Sequence, residues 1–300
     1  MTVLAVRAAG SLSGAAPLDP PEGRDPWAQN DETARLSAAE RAREAAAGPL
    51  VPAEDVPLVL LHAFPLSSLM WEPLVRHLPK VPVLMVDLPG AGLSPSIDPV
   101  SIEGAALAVA TSLEELGVQR AVIAGISMGG YVALQLMASR SDLISGVILM
   151  HTKATPDTPE TQAGRLATAR NVLDTSSVQS LTPMAGKMIS EASKVSQPEL
   201  EGQLKRWILE STPDGVAWAE EAMATRPGYL DVLRASGLPA TVIAGEEDPF
   251  SSVADAEAMA DALGPGTNLV VISSVGHLSP LESPSMTARI LREAYQRLCA

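Results

Sequence analysis

A six-residue stretch, Gly125–Gly130 (Gly-Ile-Ser-Met-Gly-Gly), constrains the fold of this chain more than any other feature of its sequence. The apolar, β-branched residues 120–124 before it are typical of a buried strand, and residues 131–138 after it have a helical pattern. A serine between glycines at a turn from strand to helix is the nucleophile elbow, because glycine tolerates the backbone angles and close contacts that the turn requires. Such a turn exposes the serine hydroxyl near backbone N–H groups at the start of a helix. The stretch therefore predicts that Ser127 is a nucleophile.

Strand and helix patterns alternate along most of the chain. Continuous apolar runs are typical of strands that are buried on both faces of a parallel sheet, with helices as the crossover connections. We expect strands at residues 57–62, 81–87, 120–124, 146–151, 240–245 and 268–272. The alternation predicts an α/β fold in which helices cover both faces of a mostly parallel sheet.

Composition divides the chain into three regions. Residues 1–50 are rich in glycine, alanine, proline and charged side chains, so we expect an N-terminal extension that is partly disordered or loosely packed, with a weak strand pattern at residues 3–7. Residues 51–151 and 227–300 carry the alternating strands and helices and form the predicted core. Residues 152–226, between the two parts of the core, have helical patterns broken by prolines, which predicts an inserted helical cap.

The composition also excludes several classes of function. The net charge is −14, from 35 acidic and 21 basic residues, so the basic surface of a nucleic-acid-binding protein is absent. No apolar run approaches the roughly 18 residues that span a bilayer, and the first residues lack the apolar segment of a secretory signal. We therefore expect a cytoplasmic protein without a membrane partner. Because Cys299 is the single cysteine and the four histidines lack His-Glu-x-x-His spacing, we expect no metal.

The base that would activate the serine is sought among the histidines. His277 lies in the loop after the last predicted strand, and the loops that follow parallel strands open at one edge of a sheet, so we expect His277 to reach Ser127. His62 and His151 end strands at the same edge. We expect a structural hydrogen bond for His62 and regard His151 as a candidate substrate contact. His77 follows an amphipathic helix and is expected to be solvated.

A catalytic histidine needs a carboxylate that fixes its tautomer and stabilises the imidazolium. Asp248 follows a predicted strand at the edge where His277 lies. Glu246 and Glu247 are rival candidates in the same loop. Pro249 fixes a turn directly after Asp248, and this turn favours Asp248 over its two neighbours.

The oxyanion that forms when a hydroxyl attacks a carbonyl needs preorganised N–H donors. The backbone N–H of Met128, directly after the serine, is the first candidate, and that of Phe64, in the loop after the first buried strand, is the second. Most apolar residues of the predicted cap are expected to pack against one another, while a minority line an apolar substrate chamber. Met184 and Trp207 are our candidates for substrate contacts in the cap, together with His151.

Three motifs give the chain a resemblance to the α/β-hydrolase superfamily that covers about residues 51–300. His62–Pro65 resembles the His-Gly-x oxyanion loop of the family, although Ala63 stands where the family mostly has glycine and narrows the approach to the oxyanion site. Asp87–Ser94 resembles the Asp-x-x-Gly-x-Gly-x-Ser loop. The C-terminal region 276–284 resembles the Gly-His…Glu-x-Pro ending.

The order Ser127…Asp248…His277 also matches the nucleophile–acid–base order of this family. The resemblance implies the α/β-hydrolase fold, with the helical cap at residues 152–226. The small members that it resembles in overall organisation are 3-oxoadipate enol-lactonase-like enzymes, carboxylesterases and C–C-bond hydrolases, which are free of cofactors, so no cofactor is expected. They imply acyl transfer from a small, fairly apolar ester or lactone to Ser127, followed by attack of a water that His277 activates.

Other functions stay open at this point. A perhydrolase or haloperoxidase-like enzyme without a cofactor, or a C–C-bond hydrolase, would use the same three residues. A ligand receptor or scaffold would keep the fold without turnover. The sequence identifies neither the substrate nor an oligomeric state.

Overall fold

The computed structural model describes residues 2–9 and 56–299 of the chain. In this part of the chain, a single sheet contains the strands β1 (Val6–Ala9), β2 (Leu58–Leu61), β3 (Val83–Val86), β4 (Ala121–Ile126), β5 (Ile144–Met150), β6 (Ala240–Gly245) and β7 (Asn268–Ile272). The strand order is β1-β3-β2-β4-β5-β6-β7. Strand β1 is antiparallel to β3, and all other neighbouring strands are parallel. The predicted α/β fold with a mostly parallel sheet is confirmed.

Two groups of helices pack around this sheet. The α-helices of the described residues are α1 (Glu72–Val75), α2 (Ile102–Glu115), α3 (Met128–Ser139), α4 (Pro159–Thr175), α5 (Glu191–Ser196), α6 (Leu200–Glu210), α7 (Pro213–Ala224), α8 (Leu230–Ser236), α9 (Val253–Leu263), α10 (Ser279–Glu282) and α11 (Pro284–Leu298). Helices α2, α3, α8 and α9 contact one another in succession, whereas α11 packs with α1 and β5. None of the helices among the described residues is long and apolar enough to cross a bilayer.

The register of the parallel strands brings their carboxyl ends to one edge of the sheet. Every residue of β2, β3, β4 and β6 is buried, as expected for strands that helices cover on both faces. At the carboxyl ends, the paired residues are Leu61 with Gly125, Ile126 with Met150, Met150 with Ile243, and Gly245 with Ile272. The segments that follow these strands carry Ser127, His151, Asp248 and His277, and all four residues therefore emerge at the same edge.

The segment between β5 and β6 is helical, and helices α4 to α7 lie within the predicted cap. Helix α4 packs along α7. Each of these two helices has proline at its first position and a threonine cap: Thr158 accepts a hydrogen bond from the Thr161 N–H, and Thr212 accepts one from the Gly215 N–H. Pro159 and Pro213, two of the prolines that break the helical pattern in the sequence, therefore mark helix starts.

Buried charges join the two ends of this helical segment. Asp157, before α4, accepts hydrogen bonds from Arg226, after α7, at 2.7 Å and from Arg165 at 2.6 Å. The Arg226 guanidinium also stacks over the ring of Tyr131 in α3, 3.9 Å from its centroid. Burial opposes the charge of Asp157, but the two arginines outweigh burial and hold the pKa of this carboxyl below its usual range. The base of the segment is thereby fixed to α3, the helix that directly follows Ser127.

Strand β1 corrects the predicted boundary of the core at residue 51. The sequence assigns residues 1–50 to an extension, yet Val6–Ala9 form the antiparallel edge strand of the sheet, and Leu4 before them is buried. The predicted strand at residues 3–7 therefore exists, with its bounds shifted towards the C-terminus. The remainder of the predicted extension, residues 10–50, lies outside the described residues.

Candidate active site

Ser127 lies in the turn between β4 and α3, with φ 54° and ψ −117°. This conformation is rare for a residue with a side chain and persists where its surroundings hold it. A Cβ atom at Gly125 would overlap the backbone of Gly129, and a Cβ atom at Gly129 would overlap the carbonyl of Leu61. The close approach of these backbones therefore requires both glycines of the Gly-x-Ser-x-Gly spacing.

The end of β5 holds this turn from the other side. The Ser127 N–H donates to the Met150 carbonyl at 3.0 Å, and the Thr152 hydroxyl donates to the Ser127 carbonyl at 2.9 Å. The Thr152 side chain occupies the space that a Cβ atom at Gly130 would need. Ser127 lines a cavity, and its hydroxyl makes no hydrogen bond to another described residue. The hydroxyl is thus held at the edge of the sheet and left available.

Asp248 and His277 are in contact, as the sequence predicts. The Nδ1 atom of His277 lies 2.8 Å from Oδ2 and 2.9 Å from Oδ1 of Asp248, and both side chains are buried. Because an ionised carboxylate only accepts hydrogen bonds, Nδ1 carries the proton and Nε2 is left as the acceptor. The rival carboxylates Glu246 and Glu247 are exposed and accept backbone N–H groups elsewhere. Of the three candidate carboxylates, Asp248 is the one that contacts His277, and its catalytic role stays a prediction.

The Asp248 carboxylate is unusually well supplied with donors. It accepts the N–H of Phe250 at 2.8 Å, the N–H of Ser251 at 3.2 Å and the hydroxyl of Ser251 at 2.7 Å. The Nδ1 atom of His151 approaches it at 3.3 Å. Burial opposes ionisation, but hydrogen bonds from His151 and His277 outweigh it and hold the pKa of Asp248 well below its usual range. Asp248 is therefore ionised throughout the neutral range.

Glu282 fixes the loop that carries His277. Its carboxylate accepts the N–H of Gly276 at 3.0 Å, the N–H of Leu278 at 3.1 Å and the N–H of Ser190 at 2.7 Å. The His277 N–H itself donates to the Met188 carbonyl at 2.9 Å. The sequence marks Glu282 only as part of the Glu-x-Pro motif and does not reveal these contacts. The loop is thereby bonded both to α10 and to the helical segment.

His62 makes structural hydrogen bonds, as expected. Its Nε2 atom accepts the N–H of Leu88 at 2.9 Å, and its Nδ1 atom donates to the Ala63 carbonyl at 3.0 Å. Burial lowers the pKa of His62, with a smaller opposing effect from Asp87. A neutral His62 satisfies both contacts and joins the loop after β2 to the loop after β3.

The two predicted oxyanion donors lie on neighbouring elements. Met128 is the first residue of α3, and Phe64 lies in the loop after β2. The Gly129 N–H donates to the His62 carbonyl at 3.1 Å and so joins α3 to that loop. Neither the Met128 N–H nor the Phe64 N–H has an acceptor among the described residues. Both groups are thus available to a ligand.

A cavity of about 440 Å³ extends from Ser127 and His277 under the helical segment. Its apolar wall consists of Phe64, Met184, Met188, Met223 and Phe250. Of the three predicted substrate contacts, the structure brings Met184 and His151 to this cavity. Trp207 of α6 does not line the cavity and packs against the hydrophobic core instead. A wider groove of about 940 Å³ between β7 and α11 contains none of these residues.

The lining of this cavity also has a polar part. Lys153, Thr161, Arg165 and Thr168 line it, together with Glu220 of α7. Arg165 is neutralised by Glu220 at 2.8 Å and by its contact with Asp157, whereas Lys153 forms no ion pair with a described residue. No single pattern in the sequence joins these residues, because they come from three separate segments of the chain. The lining of the predicted apolar chamber is therefore part apolar and part polar.

Three buried side chains at this site lie close enough to admit a metal ion: ligand atoms of His151, Asp248 and His277 are within 4.8 Å of one another. These atoms already hydrogen-bond one another, with the Nδ1 atom of each imidazole directed at the Asp248 carboxylate. We therefore assign them hydrogen-bonding roles and no metal.

Comparison with known proteins establishes the family. The family model described as alpha/beta hydrolase fold matches residues 56–284. The chain belongs to the α/β-hydrolase fold family. This α/β-hydrolase is similar to the structure of a thermophilic esterase from Thermogutta terrifontis that was solved with malate bound. The identity is 33%, the TM-score is 0.78, and the match covers 83% of this chain and 92% of the esterase.

Curated relatives of this α/β-hydrolase include lipase LipV from Mycobacterium tuberculosis, which is 34% identical over 103 residues, or 34% of this chain. The chain spans 38% of the length of LipV. The 3-oxoadipate enol-lactonase 2 of Acinetobacter baylyi is 27% identical, over 72% of this chain and 79% of the lactonase. The predicted resemblance and the placement among hydrolases are confirmed at the level of the family, whereas the substrate and the roles of individual residues stay predictions.

Proposed function

We propose that the chain is a serine hydrolase that cleaves a carboxylic ester or lactone through an acyl-enzyme on Ser127. The observation that carries the proposal is the buried hydrogen bond between Asp248 and His277 at the edge of the cavity that Ser127 lines. The strained backbone of Ser127 supports it, because such strain is concentrated at functional sites. The family comparison supports the class of reaction.

In the first half-reaction, the Nε2 atom of His277 removes the proton of the Ser127 hydroxyl while the oxygen attacks the ester carbonyl. Asp248 holds the Nδ1 proton and stabilises the imidazolium that forms. When the tetrahedral intermediate collapses, the C–O bond to the alcohol breaks and His277 returns the proton to the leaving oxygen. The acyl group then remains on Ser127.

In the second half-reaction, His277 removes a proton from water, whose oxygen attacks the acyl carbonyl. Collapse of the second intermediate releases the carboxylic acid, and the proton returns to Ser127. The N–H groups of Met128 and Phe64 would stabilise both oxyanions, each by about 3 kcal/mol in the transition state. Their lack of other acceptors among the described residues supports this role.

Residues 152–226 form the cap of the proposed enzyme and supply most of its substrate walls. The cavity volume of about 440 Å³ suits a small molecule. The methionines that line the cavity favour an apolar acyl or alcohol group, and Lys153 in the polar part of the lining favours a substrate that carries a second, anionic group. The malate bound to the Thermogutta esterase supports tests with esters of dicarboxylic acids, and the enol-lactonase relative supports tests with lactones.

The decisive experiment combines turnover with covalent labelling. Ser127→Ala should abolish hydrolysis of short p-nitrophenyl esters and labelling by a fluorophosphonate probe. Ser139→Ala is the matched control, because Ser139 is an exposed serine at the end of the same helix. Full esterase activity in Ser127→Ala would refute the proposal, and wild-type protein that stays unlabelled and inactive would favour a ligand receptor. Peracid formation from acetate and peroxide, faster than ester cleavage, would favour a perhydrolase.

A further inference from the structure

A second histidine contacts the carboxylate that orients the proposed base. The Nδ1 atoms of His151 and His277 both approach Oδ2 of Asp248, at 3.3 Å and 2.8 Å. The planes of the two rings form an angle of 74°, and their centroids are 6.0 Å apart. The proposed mechanism uses the contact of His277 with Asp248 and gives no role to the contact of His151 with the same carboxylate.

The contacts of His151 define its tautomer. Since the Asp248 carboxylate accepts, Nδ1 of His151 carries the proton, and Nε2 accepts from the Ser279 hydroxyl at 2.8 Å. Burial lowers the pKa of His151, and the nearby Asp248 opposes this effect only in part. His151 is therefore a neutral donor to Asp248 that is locked in place by Ser279.

The backbone at His151 supports a specific role. Its φ is 44°, in the left-handed region that residues with a side chain rarely adopt, and its N–H is held by the Ile243 carbonyl at 2.8 Å. A Cβ atom at Gly245 would lie 3.1 Å from Cε1 of the His151 ring, so the ring fills the space beside that glycine. Strain of this kind persists where the surroundings fix it, and it is frequent at functional sites.

We propose that His151 is a positioning residue, which shares the Asp248 carboxylate with His277 and so sets the pH range in which His277 acts as a base. This inference rests on the proposed function. A carboxylate that already accepts from His151 and Ser251 has less negative charge available to stabilise a protonated His277. The acid limb of the activity profile consequently lies at lower pH than it would without His151.

The charged groups around His151 are few. Asp248 contacts it from the loop after β6, His277 faces it from the loop after β7, and Glu282 of α10 adds a weaker field. Lys153 follows two residues later and lines the same cavity. Because backbone N–H groups hold Glu282 in place, a substitution at residue 151 changes mainly the hydrogen bonding of Asp248.

The test compares two substitutions of similar size. His151→Asn keeps an N–H donor close to the position of Nδ1 and tolerates a positive φ, whereas His151→Leu removes the donor. The pH dependence of kcat/KM for p-nitrophenyl acetate should show an acid limb that moves up by about half to one pH unit in His151→Leu. The acid limb of His151→Asn should stay near that of the wild type. Ser279→Ala should move it in the same direction by a smaller amount, because the ring loses its lock.

The proposal is overturned if the acid limb of His151→Leu coincides with that of the wild type, or if His151→Asn moves as far as His151→Leu. A purely structural role would lower activity in both variants without moving the limb. Proton NMR of the resting protein gives a readout that does not depend on turnover, through the downfield Nδ1–H resonance of His277. An identical resonance in wild type and His151→Leu overturns the proposal even if the protein proves to have no esterase activity.

Discussion

Replacing Glu282 with glutamine tests how strongly the loop of the proposed base is anchored. Its Oε2 atom accepts the N–H of Ser190 and the hydroxyl of Ser193, its Oε1 atom accepts the N–H of Leu278, and both oxygens accept the N–H of Gly276. The Glu282→Gln amide has one oxygen, and its NH₂ group is itself a donor. In either orientation of the amide, at least one buried N–H loses its acceptor and faces another donor.

The magnitude follows from these contacts. A hydrogen bond to a charged group contributes about 1.5–3 kcal/mol, and an unsatisfied buried donor costs about 1–3 kcal/mol. We therefore expect Glu282→Gln to lower the free energy of unfolding by about 3 kcal/mol. For a chain of this size, 1 kcal/mol corresponds to about 2–4 °C, so the melting temperature should fall by about 6–12 °C.

Thermal unfolding followed by circular dichroism measures this shift. The matched control is Glu201→Gln, which removes an exposed carboxylate that pairs with Lys205 on the same helix. The control should change the melting temperature by about 1–2 °C, because such pairs contribute little. A melting temperature of Glu282→Gln within about 2 °C of the wild type would show that Glu282 does not anchor the loop.

Two further predictions concern the polar part of the cavity lining and the base of the helical segment between β5 and β6. Lys153→Met should raise KM about tenfold for a p-nitrophenyl half-ester of a dicarboxylic acid and leave KM for p-nitrophenyl acetate within twofold. The control variant Lys153→Arg should keep both KM values. Equal changes of KM for the two esters would contradict an anionic group on the substrate. Because the pKa of Asp157 is lowered in the folded protein, this carboxylate stabilises the fold at neutral pH, and the stabilisation is lost as the pH falls below about 4. The melting temperature of Asp157→Asn should therefore drop less steeply with acidification than that of the wild type. Parallel melting curves across this pH range would show that Asp157 contributes no such dependence.

The sequence predicts those parts of the site that depend on local patterns or on topology. The elbow at Gly125–Gly130 is contiguous with its strand and its helix, so short-range rules suffice to place Ser127. The contact between Asp248 and His277 can be predicted because the carboxyl ends of parallel strands lie at one edge of the sheet, and both residues follow such strands. Pro249 then distinguishes Asp248 from the two glutamates before it.

Contacts between residues that are far apart in the sequence, and that belong to no repeating pattern, cannot be predicted in this way. His151 and Asp248 are 97 residues apart, and Ser190 and Glu282 are 92 residues apart. Both contacts depend on the exact path of loops at the sheet edge. Met184 and Trp207 look alike in their helical spacing, and only the packing of α6 against the segment Gln179–Lys187 separates the cavity wall from the core.

The bonds from the His277 loop to Met188 and, through Glu282, to Ser190 have a consequence for protein engineering. A graft that exchanges the whole proposed cap for that of a relative would discard two hydrogen bonds that hold the His277 loop, together with part of the cavity lining. Chimeras should therefore retain residues 188–190 and vary Met184 and Met223, which line the cavity outside this stretch. Substitutions that aim at a new selectivity should therefore spare this junction.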